Sequence, residues 1–364
     1  MKKRQPFIDV HRGVVVVLMV LHHTIDAWIV DGDRHGHLYR ALRALGGLPA
    51  PGFLFLAGLS SALVLAAERR KGIAPGKRLR TGIQRGLYIL GIAFAFRLAI
   101  FFLDRNHLND WPMIFRVDIL NCMGVALALV AGLSALARSG RASSVLAAAL
   151  GLAFLLCAPL VAGHPLSFPT PLLGNYFAGT GPLVLFPLFP WLAFAALGFV
   201  VGESLARLLD RAPDPPRVRG WARRWGLVAL ALWVAAFALN HGSFHLYPRY
   251  DWWKASPAYM AERLSVQLLV LWLCAEVVTR YKERFHQADP LQLVGRHSLS
   301  IYLIHVELAY GHWSNPLHGV LSLPQAIAAM AAMNLAMYGL AHLVEWRDRR
   351  KRARLRLASL AAAG

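Results

Sequence analysis

Charged residues are scarce in this sequence of 364 residues, and acidic residues are the scarcest of them. Asp, Glu, Lys and Arg make up 16% of the chain, with 19 acidic residues against 39 basic ones. Soluble domains carry about 25% charged residues, and the hydrophobic share here is 57%. A soluble protein of this length could not bury so much apolar surface. The composition therefore excludes an ordinary cytosolic, disordered or fibrous protein.

Cysteine is also rare, with Cys122, Cys157 and Cys274 as the three in the chain. All three lie in apolar stretches without the spacing of a metal site, so we expect small, buried core residues and no disulfide framework. Several nucleotide and hydrolase motifs are missing as well. Without a P-loop, a strand-linked Gly-x-Gly-x-x-Gly or a Gly-x-Ser-x-Gly, neither ATP, a dinucleotide nor serine-hydrolase chemistry is indicated.

Long apolar blocks recur along the whole chain, each about 18–25 residues long, which is enough to cross a hydrocarbon core of about 30 Å. We predict an all-α polytopic transmembrane bundle of about ten helices. Residues 1–364 would form a single domain, with a short basic tail over 345–364. The predicted spans lie at residues 13–30, 50–67, 83–103, 117–137, 144–162, 183–206, 222–240, 260–279, 291–311 and 320–344.

Lys and Arg are distributed unevenly between alternate loops. The loops on the side of the N-terminus carry 30 of them, and the opposite loops carry 8. Because basic loops stay in the cytoplasm, both termini are predicted to be cytoplasmic. Topology and anionic headgroups account for the net charge of +20, so membrane lipids are expected partners and nucleic acid is not. A homodimer is left open.

Several polar side chains lie inside the apolar blocks, where an ionisable group costs about 2.5–3.5 kcal/mol at the middle of a helix and marks a functional site. The predicted orientation places all of them in the outward halves of their spans, as one polar cavity would require. A structural ion pair of Arg97 with Asp26 or Glu307 is the alternative. The set comprises His22, His23, Asp26, Arg97, Asp118, Asn121, His305 and Glu307.

Histidines gather in the predicted outward loops. The pairs His35 with His37 and His241 with His245 have spacings that a metal ion could use. Neither pair comes with a carboxylate or cysteine pattern, so we expect no metal. The segment 241–253 is also rich in aromatic residues.

Five motifs follow one another in order along the chain, from residue 7 to residue 305. They are Phe-Ile-Asp-Val-His-Arg-Gly (7–13) leading to His-His (22–23), Ala-Pro-Gly-Phe-Leu-Phe-Leu-Ala-Gly-Leu-Ser (50–60), Asp-Ile-Leu-Asn (118–121), Phe-Pro-Trp-Leu (189–192) with Gly198 and Gly202, and Leu-Val-Gly-Arg-His-Ser-Leu-Ser-Ile-Tyr-Leu-Ile-His (293–305). Together they resemble a bacterial family that shares the catalytic domain of heparan-alpha-glucosaminide N-acetyltransferase. The second and last motifs also occur in the wider membrane acyltransferase group. One departure is His22, where the family has Asp.

The resemblance implies transfer of an acetyl group across the inner membrane of a bacterium. Acetyl-CoA would bind from the cytoplasm, and an amine or hydroxyl, usually of a sugar, would accept the group outside. Such a reaction needs a base and donors for the developing oxyanion. We predict His23, oriented by Asp26, as the base or a transient acyl carrier. Arg97 and Asn121 would be the oxyanion donors, and His305 would steady the acceptor.

Basic residues near the cytoplasmic ends of the first and third predicted spans could bind the phosphates of acetyl-CoA, because guanidinium groups suit phosphate. We predict Arg12, Arg78, Arg80 and Arg85 for this role, with Asp9 orienting Arg12 from one helical turn away. Topology and lipid headgroups are the alternative explanation of these charges.

Two other functions use the same residues. A transporter or channel would use the buried Arg, Asp and His as substrate or proton sites. A scaffold or sensor with a ligand pocket is a third possibility. The motifs favour the enzyme, as does the lack of paired broken helices in matching halves. A packing histidine bonded to a carbonyl is the alternative for His23.

Overall fold

The computed structural model describes residues 5–103, 111–162, 171–178, 181–241, 247, 252–281 and 289–361. Within these ranges the chain is helical, with two isolated β-bridges and no β-strand, so the all-α prediction is confirmed. The helices are α1 (Pro6–Trp28), α2 (His37–Gly46), α3 (Pro49–Arg70), α4 (Pro75–Leu103), α5 (Ile119–Ala135), α6 (Gly140–Leu156), α7 (Ala158–Ala162), α8 (Pro171–Ala178), α9 (Leu188–Leu209), α10 (Pro215–His241), α11 (Trp252–Ala255), α12 (Pro257–Arg280), α13 (Pro290–Arg296), α14 (Ser298–Tyr310) and α15 (Leu323–Ala361).

Six helical segments of the described chain are long and apolar enough to cross a membrane. They are Pro6–Trp28, His37–Arg70, Pro75–Leu103, Leu188–Leu209, Pro215–His241 and Leu323–Leu355. Two shorter apolar helices, α5 and α6, accompany them. The predicted span 291–311 is divided at His297, between α13 and α14. Ten spans and cytoplasmic termini therefore stay a prediction.

The chain divides into two compact units. The first comprises Met1–Pro49 and Arg280–Gly364, and the second comprises Ala50–Thr279. In the first unit, α1 packs against α13, α14 and α15. A Cβ on Gly13 would overlap the carbonyl of Leu291, and one on Gly295 would overlap the carbonyl of Asp9. Two motif glycines are thus explained by the close approach of α1 and α13.

The second unit is built around α9, which packs against α5 and α6. Helix α3 crosses α9 so closely that a Cβ on Gly58 would overlap the carbonyl of Ala195, and one on Gly198 the carbonyl of Phe55. Fully buried side chains, including Phe194, surround the crossing. The glycines of the second and fourth motifs therefore serve helix packing.

The three cysteines differ in their surroundings. Cys122 and Cys274 are buried, as predicted, whereas Cys157 is exposed. The prediction is wrong for Cys157 because this residue is the C-cap of α6 and lies on the outer surface of that helix. An apolar stretch can place a small side chain on an outward-facing surface as easily as in a core.

Helix α15 is a single helix of 39 residues. Its second half is basic, and residues 346–355 are exposed. Arg349 Nε donates to Glu345 Oε1 at 2.9 Å, and the Arg350 guanidinium lies 3.9 Å from the centre of the Trp346 ring. The predicted basic tail therefore continues the helix without a break.

Candidate active site

Two histidines from different helices meet in the first unit. His23 Nδ1 of α1 lies 2.8 Å from His305 Nε2 of α14. Their rings are stacked, with centroids 5.1 Å apart and planes 3° from parallel. His305 is fully buried, and His23 is half-buried. The packing of α14 on α1 thus joins the first and last sequence motifs in one site.

The hydrogen bonds assign a proton to each ring. His305 Nδ1 lies 2.8 Å from the carbonyl oxygen of Ile301. A carbonyl oxygen only accepts, so Nδ1 of His305 donates, and Nε2 of the neutral ring is an acceptor. That acceptor receives the Nδ1–H of His23. His23 Nε2 therefore keeps the lone pair that a general base needs.

Asp26 has a partner other than the predicted one. Its Oδ2 accepts a hydrogen bond from the Tyr310 hydroxyl at 3.0 Å, and the Tyr310 ring packs edge-on against His23 at 5.4 Å between centroids. The His23 ring is turned toward α14, where His305 provides an acceptor. Among the described residues, Tyr310 therefore connects Asp26, three residues further along α1, with His23. Sequence spacing within α1 could not reveal Tyr310.

His22 faces a different helix. A small cavity of about 10 Å³ is lined by His22 and Asp26 of α1 and by Tyr39 and Arg43 of α2. A Cβ on Gly46 would overlap the His22 ring, so α2 ends closely against it. The histidine that departs from the family motif thus packs against α2.

Arg97 of α4 and Asn121 of α5 lie in the second unit, where Arg97 contacts the start of α5. Arg97 Nε and Nη2 donate to Asp118 Oδ2 at 3.1 and 2.8 Å. Asp118 Oδ1 accepts the backbone N–H groups of Leu120 and Asn121 at 2.9 and 3.2 Å. Asp118 is therefore both the N-cap of α5 and the counter-ion of Arg97. Arg97 therefore pairs with Asp118, and not with Asp26 or Glu307, the two acids that the sequence suggested.

Asn121 is fully buried and contacts a tyrosine of α8. Its Nδ2 donates to the Tyr176 hydroxyl oxygen at 3.1 Å, while its Oδ1 has no hydrogen-bond partner in the described part of the chain. Burial raises the pKa of Tyr176 above its usual value, so the phenol is protonated at neutral pH. Tyr176 gave no signal in the sequence, because it stands alone in a Pro- and Gly-rich segment.

A buried ion pair joins α3 and α9, and the sequence analysis missed it. Arg69 Nη2 lies 2.9 and 2.6 Å from the two carboxylate oxygens of Glu203, and Arg69 Nη1 donates to Ser143 Oγ at 3.2 Å. Glu203 is fully buried. An acid inside an apolar block is rare. The same rule that selected Asp118 would therefore have selected Glu203.

The four predicted phosphate-binding arginines have different environments. Arg12 Nη1 contacts Asp9 Oδ1 at 3.3 Å, which is the predicted contact one turn apart. Arg78 is only 4% exposed and donates to a backbone carbonyl at 3.4 Å, whereas Arg80 and Arg85 are exposed. Positions 78 and 80 point about 200° apart around a helix. Arg78 and Arg80 therefore point to different faces of α4.

The predicted histidine pairs show no metal arrangement in the part of the chain that the structure describes, where no group of three metal-ligating side chains occurs. His37 Nδ1 lies 3.0 Å from Arg40 Nη2, and His241 Nδ1 lies 3.0 Å from the Phe237 carbonyl oxygen. His245 falls outside the described residues.

Comparison with known proteins gives one family match. The sequence model "Heparan-alpha-glucosaminide N-acetyltransferase, catalytic" matches residues 4–237. No curated protein matches the chain. The matched range contains His23, Arg97 and Asn121 and ends before α14, which carries His305. Because the match covers more than half of the sequence, it confirms the resemblance seen in the motifs: the chain belongs to the family of the heparan-alpha-glucosaminide N-acetyltransferase catalytic domain, a family of membrane acetyltransferases.

Proposed function

We propose that this protein moves an acetyl group from cytoplasmic acetyl-CoA to an amine or hydroxyl of a sugar on the extracytoplasmic side of the bacterial inner membrane. The observation that carries the proposal is the hydrogen bond between His23 and His305 in a chain of this family. It gives the membrane-embedded first motif a histidine with a defined proton and a defined lone pair.

His23 is the general base in this proposal. Its Nε2 takes the proton of the acceptor amine or hydroxyl while the acceptor atom attacks the thioester carbonyl carbon. The carbon–sulfur bond then breaks, and the thiolate of CoA leaves and takes up the proton from His23. Histidine suits both steps, since it gains and loses a proton near neutral pH.

His305 is a positioning residue in this proposal. Its Nε2 accepts from His23 and its Nδ1 donates to the Ile301 carbonyl, so neither ring nitrogen is left for the acceptor. We therefore replace the predicted contact of His305 with the acceptor by a role in holding the His23 ring. Asp26 supports the same ring through Tyr310.

Arg97 and Asn121 remain the proposed oxyanion donors. A guanidinium has five N–H groups, and the hydrogen bonds to Asp118 use Nε and Nη2 of Arg97. The Asn121 amide has two N–H groups and directs Nδ2 at Tyr176. Each residue thus has donors to spare for a developing negative charge.

The phosphates of acetyl-CoA are assigned to Arg12, Arg80 and Arg85, which are half-buried or exposed. Arg78, the fourth predicted residue, stays a prediction, and its guanidinium is buried on a different face of α4 from Arg80. The adjacent carboxylate of Asp9 orients Arg12, and it is held back from the phosphates by that contact.

The reaction is tested with purified protein, labelled acetyl-CoA and glucosamine as the acceptor. We expect saturable acetyl-CoA binding and transfer of the label. His23→Ala should lower turnover by about 10²–10⁴-fold, the usual contribution of a general base, with acetyl-CoA affinity and membrane abundance unchanged. His22→Ala is the matched control, because its ring faces α2, and it should retain most activity.

A fall below tenfold in His23→Ala, with His305→Ala inactive, would move the base to His305. The same binding assay tests the phosphate assignment: Arg12→Gln and Arg85→Gln should each weaken acetyl-CoA binding more than twofold. Arg217→Gln, an exposed position, is the control. Unchanged affinity in the first two variants would contradict the assignment.

Transport is the second candidate function. It is favoured by the division of one predicted span into α13 and α14, because discontinuous helices carry substrate and ion sites in transporters. Absence of acetyl-CoA binding at about millimolar concentration, which corresponds to only about −4 kcal/mol, would move the conclusion to transport.

A further inference from the structure

Three aromatic side chains gather where α11 leads into α12, in the second unit. The rings of Trp252 and Trp253 stand at 90° with centroids 4.8 Å apart. The Tyr259 ring lies 4.5 Å from Trp252 and 5.4 Å from Trp253. Trp253 is 68% exposed. We call these three residues the aromatic platform, and they lie beyond the range matched by the family model.

Polar groups surround the aromatic platform. Trp252 Nε1 donates to Asn240 Oδ1 at 3.1 Å, and Asn240 Nδ2 donates to Glu262 Oε1 at 2.6 Å. On the other side, Arg263 Nη2 donates to the Tyr259 hydroxyl oxygen at 2.6 Å, and its guanidinium carbon lies 4.8 Å from the centre of the Tyr259 ring. A carboxylate is therefore linked to Trp252 through Asn240, and a guanidinium packs on Tyr259, so both charges border the aromatic platform.

A pyranose ring offers the complementary surfaces. One face consists of C–H bonds with partial positive charge, which suit the negative face of an aromatic ring. The rim consists of hydroxyl or amino groups, which suit carboxylate and guanidinium partners. We propose that the aromatic platform binds a sugar, with the pyranose face on Trp253 and the rim groups on Glu262 and Arg263. The choice of an amino sugar as ligand rests on the proposed function.

The hydrogen bonds distinguish this arrangement from an ordinary interfacial belt. Trp and Tyr are common at membrane interfaces, where their polar atoms meet water or headgroups. Here the Trp252 N–H is directed at Asn240, and the Tyr259 hydroxyl is bound by Arg263. Trp252 and Tyr259 are fixed in this way, and the Trp253 ring packs against both of them, so the aromatic platform would lose little freedom on binding a ligand. The distribution of basic residues also predicts that the aromatic platform lies on the extracytoplasmic side, which is the side of the proposed acceptor.

The test measures binding of chitobiose, a disaccharide of glucosamine, by calorimetry on the purified protein without acetyl-CoA. Trp253→Ala should weaken binding at least tenfold, whereas Trp253→Phe should stay within about threefold because a flat ring remains. Trp313→Ala is the matched control, since Trp313 is 81% exposed in the first unit, and it should leave the affinity unchanged.

Glu262 is tested by the choice of sugar. Glu262→Gln should weaken the binding of chitobiose, which carries amino groups, more than the binding of cellobiose, which carries hydroxyl groups in their place. Equal losses for the two sugars would remove Glu262 from the site.

The proposal fails if wild-type protein does not bind chitobiose at about 10 mM, or if Trp253→Ala and Trp313→Ala weaken binding equally, as a general interfacial role requires. Failure of the proposed function looks different: chitobiose would bind through Trp253 while no acetyl group is transferred. Conversely, acetyl transfer with an acceptor KM that Trp253→Ala does not change would support the proposed function and contradict sugar binding at the aromatic platform.

Discussion

The partner of His23 determines which of its ring nitrogens carries the lone pair. A carboxylate partner would stabilise the protonated imidazolium, as the His–Asp spacing in α1 suggested. The neutral His305 instead accepts the Nδ1–H of His23, so it selects a tautomer and adds no negative charge. The pair therefore fixes the position of the lone pair, and Asp26 accepts a hydrogen bond from Tyr310.

This role makes a prediction for His305. Glutamine can place a carbonyl oxygen near the position of Nε2, whereas alanine cannot. We expect His305→Ala to lower kcat by about 10–100-fold, a part of the usual contribution of a positioned base, and His305→Gln to recover much of that loss. The acceptor KM should stay unchanged in both variants. A change in the acceptor KM alone would instead support the direct contact between His305 and the acceptor that the sequence predicted.

Asp118 is predicted to hold α5 in place. Asp118→Ala removes an N-cap, worth about 0.5–2 kcal/mol, and leaves Arg97 half-buried without its counter-ion, a loss of about 3–5 kcal/mol for a buried pair. Thermal unfolding in detergent should show a large drop in stability. Arg217→Ala is the control, because its pair with Asp214 is exposed and worth less than about 1 kcal/mol. Equal losses of stability in Asp118→Ala and Arg217→Ala would contradict the role of Asp118 in holding α5.

Sequence spacing predicted one contact within α1 correctly, but it did not reveal that Asp26 contacts Tyr310 instead of His23, and it failed for contacts between helices. The Asp9–Arg12 pair follows from positions three residues apart and is present. His23 and His305 are 282 positions apart, so the motifs selected both residues but not their hydrogen bond. Arg97 was expected to need an acid, but its choice of Asp118 depends on how α4 packs against α5.

The helix boundaries, too, could be predicted from the sequence only where packing between helices does not determine them. Apolar length predicted α1, α4, α9 and α10 well, because each contains an apolar window of 18 residues. It did not predict the break at His297, where no proline or glycine interrupts the apolar pattern of residues 298–310. The break lies directly after the segment that Gly295 brings against α1. The position of this break is therefore determined by packing between helices and not by local helix propensity.

The crossing of α3 and α9 makes a prediction at this scale. In Gly198→Ala the new Cβ would overlap the Phe55 carbonyl, which belongs to the backbone and cannot rotate away. We expect a loss of at least about 1–3 kcal/mol, the usual cost of overpacking, seen as reduced folded protein after detergent extraction. Gly91→Ala has no atom within 4 Å and is the control. It should be as stable as wild type, and a matching loss there would rule out the crossing as the cause.

The transmembrane orientation is a prediction about the whole molecule. The excess of basic residues in alternate loops predicts that reporters fused after residues 45, 110, 175, 250 and 316 all lie outside. Alkaline phosphatase fusions, active only outside the cytoplasm, measure this directly, and fusions after residues 72 and 212 should be inactive. Two or more inactive fusions in the first group would overturn the orientation and the sidedness of the proposed reaction.

The unbroken length of α15 has a mechanical consequence. Its 39 residues span about 58 Å at 1.5 Å per residue, nearly twice the thickness of the hydrocarbon core of about 30 Å. With the predicted span 320–344 as the membrane anchor, the basic end would continue out of the bilayer as part of the same helix. At physiological salt, charges act over about 8 Å, so the headgroups attract only the first turns beyond the bilayer. Arg354 lies about 10 Å beyond Arg347 along the helix axis, so with this anchor it would be out of reach of the headgroup charge.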